Sequence, residues 1–518
     1  MARKKLASKR NISALMLLLL MQVLLTYVGV WVALDSKNYD SYPGKLKRQD
    51  LAVAFSTQNG GKTATTGVPL LQTNLTTTLG AKDNSSHLKT SPKSKLQSEN
   101  LANVTKKHQV SKVQVSGSKW LLHLFSESKS YCNGKIEMIE DVAALFRNAV
   151  IDPSLGSAQA QSRANVKDVL LQKELLEFYH LKKGYLEVDD CSDVPAPKNV
   201  QIDGGKSDHI KEFNKAVEIS TNVVDVTHRY DGDFVIMMTR YEYANVYWTV
   251  IDLYDAFLMM RFYNRTFNST DLLLFDAHPL TKLDEIFDGV FRRVIRPKDL
   301  TQPTRFRNLV QCFHRGKSPV LRKILQPLPL VNEFRSQVML AMNIELHPLA
   351  DRKRRCVENT LNVLFIWRRN YVAHPRNPAG VVARKISNED ELLNITRRNF
   401  PKYSVVGEQL DKYPVKRQLE VMGNVDIMVS MHGAAFGFVV FMQEGSGVLE
   451  MWPKGDQGNW HMEYLARRNR LYYKSWQNNV EKNEDRRMKA TKVSTQIVKD
   501  AVKGLSESVC SKYLKDPL

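Results

Sequence analysis

Closely spaced cysteine pairs are missing from this chain. Only five cysteines occur in 518 residues, and none of them stands in a Cys-x-x-Cys pair. Because structural zinc sites are usually built from such pairs, the sequence argues against a zinc site. In an oxidising compartment, five cysteines predict one or two disulfides and at least one thiol that is free or paired between chains. The sequence leaves the pairing open for Cys132, Cys191, Cys312, Cys356 and Cys510.

Signatures of nucleic-acid binding are also missing, although the net charge is +21. Residues 1–11 hold five basic and no acidic side chains, and residues 35–118 hold 12 basic against five acidic ones. These two segments account for 12 of the 21 net charges, and the remaining +9 is spread over the rest of the chain. Such a spread is typical of an ordinary solvated surface. Since no zinc-finger spacing or RNA-binding motif is present, we expect no nucleic-acid partner.

Long apolar runs are absent except for one near the N-terminus. Residues 12–34 are 23 uncharged residues, enough to cross a bilayer. The basic residues of 1–11 precede this run, which predicts a cytoplasmic tail. A cleaved signal peptide is the alternative, but the run is long for one and no clear small-x-small cleavage site follows it. We therefore predict a tail at 1–11 and a transmembrane signal anchor at 12–34, with the remainder lumenal.

The segment 35–118 is rich in Ser, Thr, Asn, Gln and Lys and poor in aromatic residues. That composition predicts a disordered stem, because it offers too little apolar surface to offset chain entropy. The last four residues, Lys-Asp-Pro-Leu, are not a retrieval signal for the endoplasmic reticulum, so we expect a single-pass type II protein of the Golgi membrane. Six glycosylation sequons agree with a lumenal location: Asn74, Asn84, Asn103, Asn264, Asn268 and Asn394.

From residue 119 onward, strand-like and helix-like patterns alternate, which predicts an α/β fold with parallel sheets. We divide this part into a first half, 119–345, and a second half, 346–518. In the first half the pattern predicts helices at 136–148, 167–181, 247–262 and 333–343, and strands at 234–238 and 272–275. In the second half it predicts strands at 362–367 and 403–406 and helices at 388–399, 413–422 and 492–509.

The stretch 424–453 carries the strongest functional signal. A buried strand at 425–431 leads into a turn of small residues at 432–435, a short helical segment at 436–442 and a second strand at 448–452 that contains Glu450. In such units ligands lie at the carboxyl ends of the strands, and a helix start attracts a diphosphate. Because the turn is not a Gly-x-Gly-x-x-Gly motif, an ordinary buried core with a glycine turn is the alternative. Two α/β halves with a nucleotide site in the second predict two Rossmann-like domains facing a cleft, the GT-B type of glycosyltransferase architecture.

Three segments resemble glycosyltransferase family 61. Residues 365–376 (FIWRRNYVAHPR) with 384–389 (RKISNE) are similar to the start of the family's donor domain. Residues 431–434 (MHGA) resemble its His-Gly-Ala-Gly turn, and 240–252 (RYEYANVYWTVID) resemble its acceptor-side motif. Within the family, these runs are most like the members that add xylose to the core of N-glycans. The likeness covers roughly residues 230–475 and implies a metal-independent, inverting transfer of xylose from UDP-xylose to the core β-mannose.

The sequence departs from the family pattern at two places. Trp248 stands where the family usually has His, so no role is expected for that ring. Ala435 and Phe436 replace the usual Gly-Leu, which places a methyl group in the phosphate turn. Either departure is expected to affect donor fit or activity.

Without a metal, cationic side chains and a helix start must hold the leaving diphosphate. Arginine offers a planar fork for phosphate oxygens, and a pair of arginines follows the strand at 362–367. Glu450 is expected to accept hydrogen bonds from ribose hydroxyls, with a buried structural carboxylate as the alternative. The predicted donor-binding residues are Arg368, Arg369, Arg384, Lys385, His432, Gly433, Ala434 and Glu450.

The catalytic base should come from the first half and face the donor across the cleft. Asp252 is the first choice and Glu242 the second, because a carboxylate near the acceptor hydroxyl can take its proton. Both can instead cap a turn or pair with a nearby arginine. We also expect His374, Arg376 and Asn245 to contact the donor or the acceptor.

Asp276 and His278 form a competing pattern, because a strand that ends in Asp-x-His can hold manganese in metal-dependent glycosyltransferases. A second Asp-x-Asp, residues 231–233, precedes its strand and is badly placed for this role. Two further functions also stay open. One is transfer of N-acetylglucosamine to protein by a member of the same family, and the other is a glycan-binding relative without turnover.

Overall fold

The computed structural model describes residues 128–160, 164–204, 207–314, 317–321, 326–456 and 460–514. The predicted tail, anchor and stem lie outside these residues, as do the sequons at Asn74, Asn84 and Asn103. Within the described ranges, no helix combines the length and apolar character that a membrane crossing requires. The side chains of Asn264, Asn268 and Asn394 are exposed.

Nineteen strands are present in the described residues. They are β1 Ser128–Tyr131, β2 Ile136–Ile139, β3 Ala143–Ile151, β4 Gly156–Ala158, β5 Tyr179–Leu181, β6 Leu186–Val188, β7 Val217–Ile219, β8 Val235–Met238, β9 Asp271–Leu274, β10 Arg293–Ile295, β11 Thr304–Gln311, β12 Asn362–Ile366, β13 Lys385–Ile386, β14 Ser404–Glu408, β15 Ile427–Met431, β16 Gly447–Trp452, β17 Tyr472–Gln477, β18 Glu484–Asp485 and β19 Ala490–Thr491.

Nine α-helices accompany these strands in the same part of the chain. They are α1 Asp208–Ala216, α2 Val246–Phe262, α3 Asp284–Val290, α4 Val331–Ala341, α5 Leu349–Glu358, α6 Glu389–Asn399, α7 Val415–Gly423, α8 His461–Arg468 and α9 Thr495–Leu514. Short 3₁₀ helices lie at Pro153–Leu155, Val166–Val169, Glu174–Glu177, Pro197–Val200, Phe267–Ser269, Pro297–Asp299, Pro319–Leu321, Leu410–Lys412, Ala434–Phe441 and Glu481–Asn483.

The first half is built on a mixed nine-stranded sheet with the order β1-β2-β3-β11-β8-β9-β10, where β6 pairs with β3 and β7 pairs with β6. Strands β1, β2, β3 and β11 are antiparallel neighbours, whereas β11, β8, β9 and β10 run parallel. The α/β class is therefore confirmed. The first half is only partly Rossmann-like, because antiparallel strands extend its parallel segment.

The predicted helix at 136–148 is wrong. This segment forms the hairpin of β2 and β3, and β3 also pairs along most of its length with β11, more than 150 residues further on. An apolar run of this kind fits a doubly buried strand as well as a helix, and only the distant partner strand decides between them. The predicted helix at 167–181 is also wrong. It is broken into two 3₁₀ turns, with Leu171 in the left-handed region at φ 69° and Leu175 exposed.

The second half is built on a five-stranded, fully parallel sheet with the order β14-β12-β15-β16-β17. Counted along the chain this is the doubly wound order 2-1-3-4-5, in which ligands lie at the carboxyl ends of the strands where the order reverses. The strands predicted at 362–367, 403–406, 425–431 and 448–452 are confirmed within two residues at each end. The helices predicted at 388–399, 413–422 and 492–509 also form, although the last extends to residue 514.

In the first half, the predicted strands at 234–238 and 272–275 and the helices at 247–262 and 333–343 are present as β8, β9, α2 and α4. Helix α2 packs against the Ala434–Phe441 helix of the second half. A Cβ placed on Gly437 would lie 2.6 Å from the Cα of Tyr247, so glycine allows this close approach. One apolar core runs through both halves at this contact.

Two disulfides join Cys132 to Cys191 and Cys356 to Cys510, and Cys312 is a buried free thiol. Both bonds connect distant segments, across 59 and 154 residues. This pattern agrees with the expected one or two disulfides and one unpaired thiol. The domain limits at residues 118/119 and 345/346 stay predictions.

Candidate active site

The turn after β15 and the loop after β12 meet at the carboxyl edge of the second sheet, where the strand order reverses. Arg368 lies two residues after the end of β12, and the pair His432-Gly433 follows β15. A Cβ on Gly433 would lie 1.8 Å from Nη1 of Arg368, so the guanidinium group rests on the glycine. The Ala434–Phe441 helix begins at the next residue, and its first N–H groups have no partner within the helix. A cationic fork and a helix start therefore lie side by side.

Arg368 is half-buried and forms no ion pair with a carboxylate within the described part of the chain. Its Nε donates to the carbonyl oxygen of Ala383 at 3.0 Å, and no acceptor is found there for the two Nη groups. Burial, reinforced by the nearby Arg384, lowers the pKa of Arg368 to about 10. The side chain therefore stays cationic at neutral pH. A buried cation without a counter-charge is costly unless an anionic ligand arrives to pair with it.

His432 and Glu450 form a buried pair behind this turn. Nδ1 of His432 lies 2.5 Å from Oε1 of Glu450, and the other carboxylate oxygen accepts from the hydroxyl of Tyr473. The ring of His432 stacks on Trp452, with centroids 3.7 Å apart. Each oxygen of Glu450 has a hydrogen-bond partner and the side chain is fully buried, so no carboxylate oxygen is exposed to a ribose hydroxyl. The alternative of a structural carboxylate, here one that orients His432, fits this geometry better.

Arg368, Arg369 and Lys385 line a cavity of about 420 Å³, and Arg384 is not part of its lining. Arg369 is paired with Glu389 in the first turn of α6, and Nζ of Lys385 donates to Oδ1 of Asn370 at 3.1 Å. Arg384 is in the left-handed region, and its Nε lies 2.5 Å from a carboxylate oxygen of Asp456. These three cations already have partners. Arg368 differs from them because its guanidinium keeps donors available.

The first half contributes Glu242 from the loop between β8 and α2. Oε1 of Glu242 accepts from the backbone N–H of Ala244 at 3.4 Å and lies 3.6 Å from Nε2 of His374, which belongs to the second half. Burial raises the pKa of Glu242. A half-buried carboxylate with a raised pKa, held where the two halves meet, has the properties of a general base.

Asp252 suits this role less well. It lies inside α2, is almost fully buried, and accepts the backbone N–H of Tyr241 at 3.4 Å. Burial raises its pKa to about 8, so the carboxyl group is protonated at neutral pH and cannot accept a proton. The identity of the base stays a prediction, and we now prefer Glu242 to Asp252 because burial of Asp252 disfavours its ionised form.

The other residues of the acceptor-side motif have structural partners. The side chain of Asn245 caps α2 by accepting from the N–H of Tyr247 at 3.0 Å. Trp248 packs edge-on against the rings of Tyr241 and Tyr247. Ala435, part of the other departure from the family pattern, lies in the Ala434–Phe441 helix and packs on the apolar core. Both departures are thus accommodated by packing.

Asp276 and His278, the competing metal-site pattern, have protein partners in the structure. Both oxygens of Asp276 accept from the fully buried guanidinium group of Arg240, at 2.6 and 3.2 Å. Nδ1 of His278 lies 2.7 Å from Glu177, and among the described residues no cluster of three or more His, Cys, Asp or Glu has the arrangement of a metal site. The 231–233 pattern forms surface ion pairs, from Asp231 to Arg293 and from Asp233 to Arg265 and Arg307.

The loop 374–376 of the second half contacts the first half. Nη1 and Nη2 of Arg376 lie 3.8 and 3.4 Å from carboxylate oxygens of Glu177 and Glu174, and the carbonyl of Pro375 accepts from the N–H of Leu171 at 2.8 Å. The sequence pattern gave no signal for Glu177, because the segment around it reads as an amphipathic helix.

Residues 235–449 match the family model described as Glycosyltransferase 61. A beta-1,2-xylosyltransferase of Oryza sativa subsp. japonica is 25% identical over 240 residues, which is 42% of this chain and 44% of that protein. A beta-1,2-xylosyltransferase of Arabidopsis thaliana is 22% identical over 276 residues, or 46% of this chain and 50% of that protein. The chain thus spans about half the length of these curated relatives.

An EGF domain-specific O-linked N-acetylglucosamine transferase of Drosophila melanogaster is 31% identical over 94 residues, 18% of each chain. Among solved structures, a glycosyl transferase family 9 protein of Veillonella parvula DSM 2008 is 8% identical with a TM-score of 0.29, covering 53% of this chain and 97% of that one. That score is too low to carry an argument. The family match encloses Arg368, Gly433 and Glu242, so the candidate site lies in the part of the chain that is similar to glycosyltransferase family 61.

Proposed function

We propose that this protein is an inverting glycosyltransferase that moves xylose from UDP-xylose to the core β-mannose of N-glycans in a β-1,2 linkage. The observation that supports this proposal most directly is the position of Arg368. Its guanidinium group rests on Gly433 at the carboxyl edge of a parallel sheet and has donors available for a ligand. The xylose donor and the mannose acceptor come from the similarity to the two plant beta-1,2-xylosyltransferases.

In the proposed reaction, Arg368 and the start of the Ala434–Phe441 helix hold the diphosphate of the donor. Glu242 takes the proton from the acceptor hydroxyl while that oxygen bonds to the anomeric carbon. The bond from the anomeric carbon to the phosphate oxygen breaks on the opposite face, and UDP leaves with the electron pair. Attack opposite to the leaving group inverts the anomeric configuration.

Charge stabilisation in this proposal comes from the guanidinium group and backbone amides, and activity is expected to need no metal. Loss of activity in EDTA that manganese restores would contradict this part. We further propose that the protein sits in the Golgi membrane through the segment 12–34, with its catalytic part lumenal. Membrane extraction and protease protection of the full-length protein test that placement.

The decisive experiment offers UDP-xylose and a core N-glycan acceptor to the purified full-length protein and records the product mass. A gain of one pentose per acceptor supports the proposal. Parallel reactions with other UDP-sugars and with the acceptor alone give the donor preference and the background. If no UDP-sugar gives product while the glycan still binds, the protein is a glycan-binding relative without turnover.

Transfer of N-acetylglucosamine to protein is the second candidate function. The 94-residue match to the Drosophila enzyme favours it, because that segment has the highest identity of the three relatives. The same assay with UDP-N-acetylglucosamine and a folded EGF domain separates the two candidates. A product from this pair, and none from UDP-xylose, would replace the first proposal.

A further inference from the structure

Glu177 is a fully buried carboxylate at the boundary between the two halves. One of its oxygens accepts from the side-chain amide of Gln172 at 3.0 Å and from the hydroxyl of Tyr243 at 3.2 Å. Its other oxygen lies 2.7 Å from Nδ1 of His278 and 3.8 Å from Nη1 of Arg376. Burial by itself raises the pKa of Glu177, but the bonds from His278 and Gln172 outweigh it and lower the pKa. Glu177 is therefore ionised and holds groups from three separate segments.

Tyr243 is the middle ring of a stack that starts on Glu177. Its ring lies 4.5 Å from that of His278, at 28°, and 5.0 Å from that of His374, at 30°. Glu177 fixes the first two members, because it bonds both His278 and the Tyr243 hydroxyl. The position of His374, in a loop from the other half, thus depends on a surface that Glu177 holds in place.

His374 faces the proposed base. Its Nδ1 accepts from the backbone N–H of Arg376 at 3.1 Å, so in the neutral ring the hydrogen is on Nε2. Nε2 is buried, has no hydrogen-bond partner within the described residues, and lies 3.6 Å from Oε1 of Glu242. Burial lowers the pKa of His374 to about 4, which keeps the ring neutral at physiological pH. An N–H this close to a carboxylate favours its ionised form.

We propose that Glu177 is a positioning residue for the transfer reaction: through the His278–Tyr243–His374 stack it holds the N–H of His374 against the carboxylate of Glu242. This inference rests on the proposed function, in which Glu242 is the base. Glu177 itself does not touch the reacting atoms. Its effect reaches the base through three rings and is therefore expected in turnover and not in donor binding.

The main test replaces Glu177 with glutamine, which keeps the volume and removes the charge and one acceptor. We expect kcat to fall about 10- to 100-fold, with an unchanged KM for UDP-xylose, since the diphosphate site lies at the other sheet. Asp189→Asn is the matched control, because Asp189 is also a buried carboxylate of the first half, bonded to Arg305 and to the N–H of Val224. It should lower the melting temperature and leave kcat unchanged.

A second measurement needs no turnover. Diethyl pyrocarbonate modifies accessible, neutral imidazole, and trypsin releases residues 370–376 with His374 as their sole histidine. In the wild type the buried Nε2 should be protected. In Glu177→Gln the rate of modification at His374 should rise, whereas Asp189→Asn should leave it as in the wild type.

Tyr243→Leu is the second test variant, to be used if Glu177→Gln does not fold. It removes the middle ring of the stack and leaves the pair of Glu177 and His278 intact. It should lower kcat and expose His374 in the same way. A folded variant of either kind with wild-type kcat, or with His374 still protected, overturns the inference. If the wild type transfers no sugar, the proposed function fails. The modification experiment then still tests whether Glu177 places His374.

Discussion

Replacing Arg368 with alanine tests the proposed donor site most directly. Among the described residues this guanidinium group has one hydrogen-bond partner, the carbonyl of Ala383, and it rests on Gly433 with no acceptor there for its Nη groups. The truncation removes a cation and a planar pair of donors. It breaks no ion pair, so the fold loses little. The change should therefore weaken binding of the diphosphate and hardly change the stability of the fold.

The size of the effect follows from the bonds that a diphosphate would receive. Two hydrogen bonds from a charged group contribute about 1.5 kcal/mol each at the low end of their range. Losing both costs about 3 kcal/mol of transition-state stabilisation, or roughly 150-fold in kcat/KM. Arg368→Lys keeps the charge and loses the fork, so its activity should fall between those of the wild type and of Arg368→Ala.

The assay measures pentose transfer to a core N-glycan by mass, together with the Kd of UDP by calorimetry and the Tm. Arg398→Ala is the matched control, because Arg398 is an exposed arginine on α6 and lies outside the cavity beside Arg368. We expect wild-type kinetics for Arg398→Ala and weak UDP binding for Arg368→Ala at an unchanged Tm. Wild-type kcat/KM and UDP affinity in Arg368→Ala would refute the proposed clamp.

Three further variants test the rest of the site. Gly433→Ala should lower UDP affinity and kcat/KM, because the new Cβ would overlap the guanidinium group that rests there; unchanged UDP affinity would contradict that contact. Glu242→Gln should lower kcat by about 100-fold or more at unchanged UDP affinity, since an amide cannot accept the proton, and normal turnover would exclude it as the base. Asp252→Asn should keep kcat at neutral pH, because the amide mimics the protonated carboxyl group. Because the pKa of Asp252 is raised to about 8, the folded state binds more protons than the unfolded state. The stability that protonated Asp252 contributes is therefore fully present below the unfolded pKa. It is lost as pH rises through about 8. Unfolding followed against pH should show a smaller loss of stability in Asp252→Asn, and equal pH dependence would contradict the burial of a neutral acid.

Local signals in the sequence predicted the second half well. An apolar run of strand length, the turn 432–435 and the arginine pair after 362–367 are each specified by neighbouring residues, and they form β12, β15 and the Arg368–Gly433 contact. The first half was harder, because the segment 136–148 becomes strands only through pairing with β11. The hydrophobic pattern of residues 136–148 does not indicate that β11 is the partner strand.

The tertiary structure alone decided the roles of the charged groups. His432 and Glu450 are 18 residues apart, and Glu177 and His278 are 101 residues apart, yet each pair shares a hydrogen bond. The sequence determined which residue types stand at the ends of the strands, and therefore which chemistry is available. Burial and partners depend on the packing of distant segments. They set the pKa of Asp252, and within the described part of the chain they leave Arg368 without a counter-charge. Electrostatic free energies change steeply with distance and solvent access, and a linear pattern contains neither quantity.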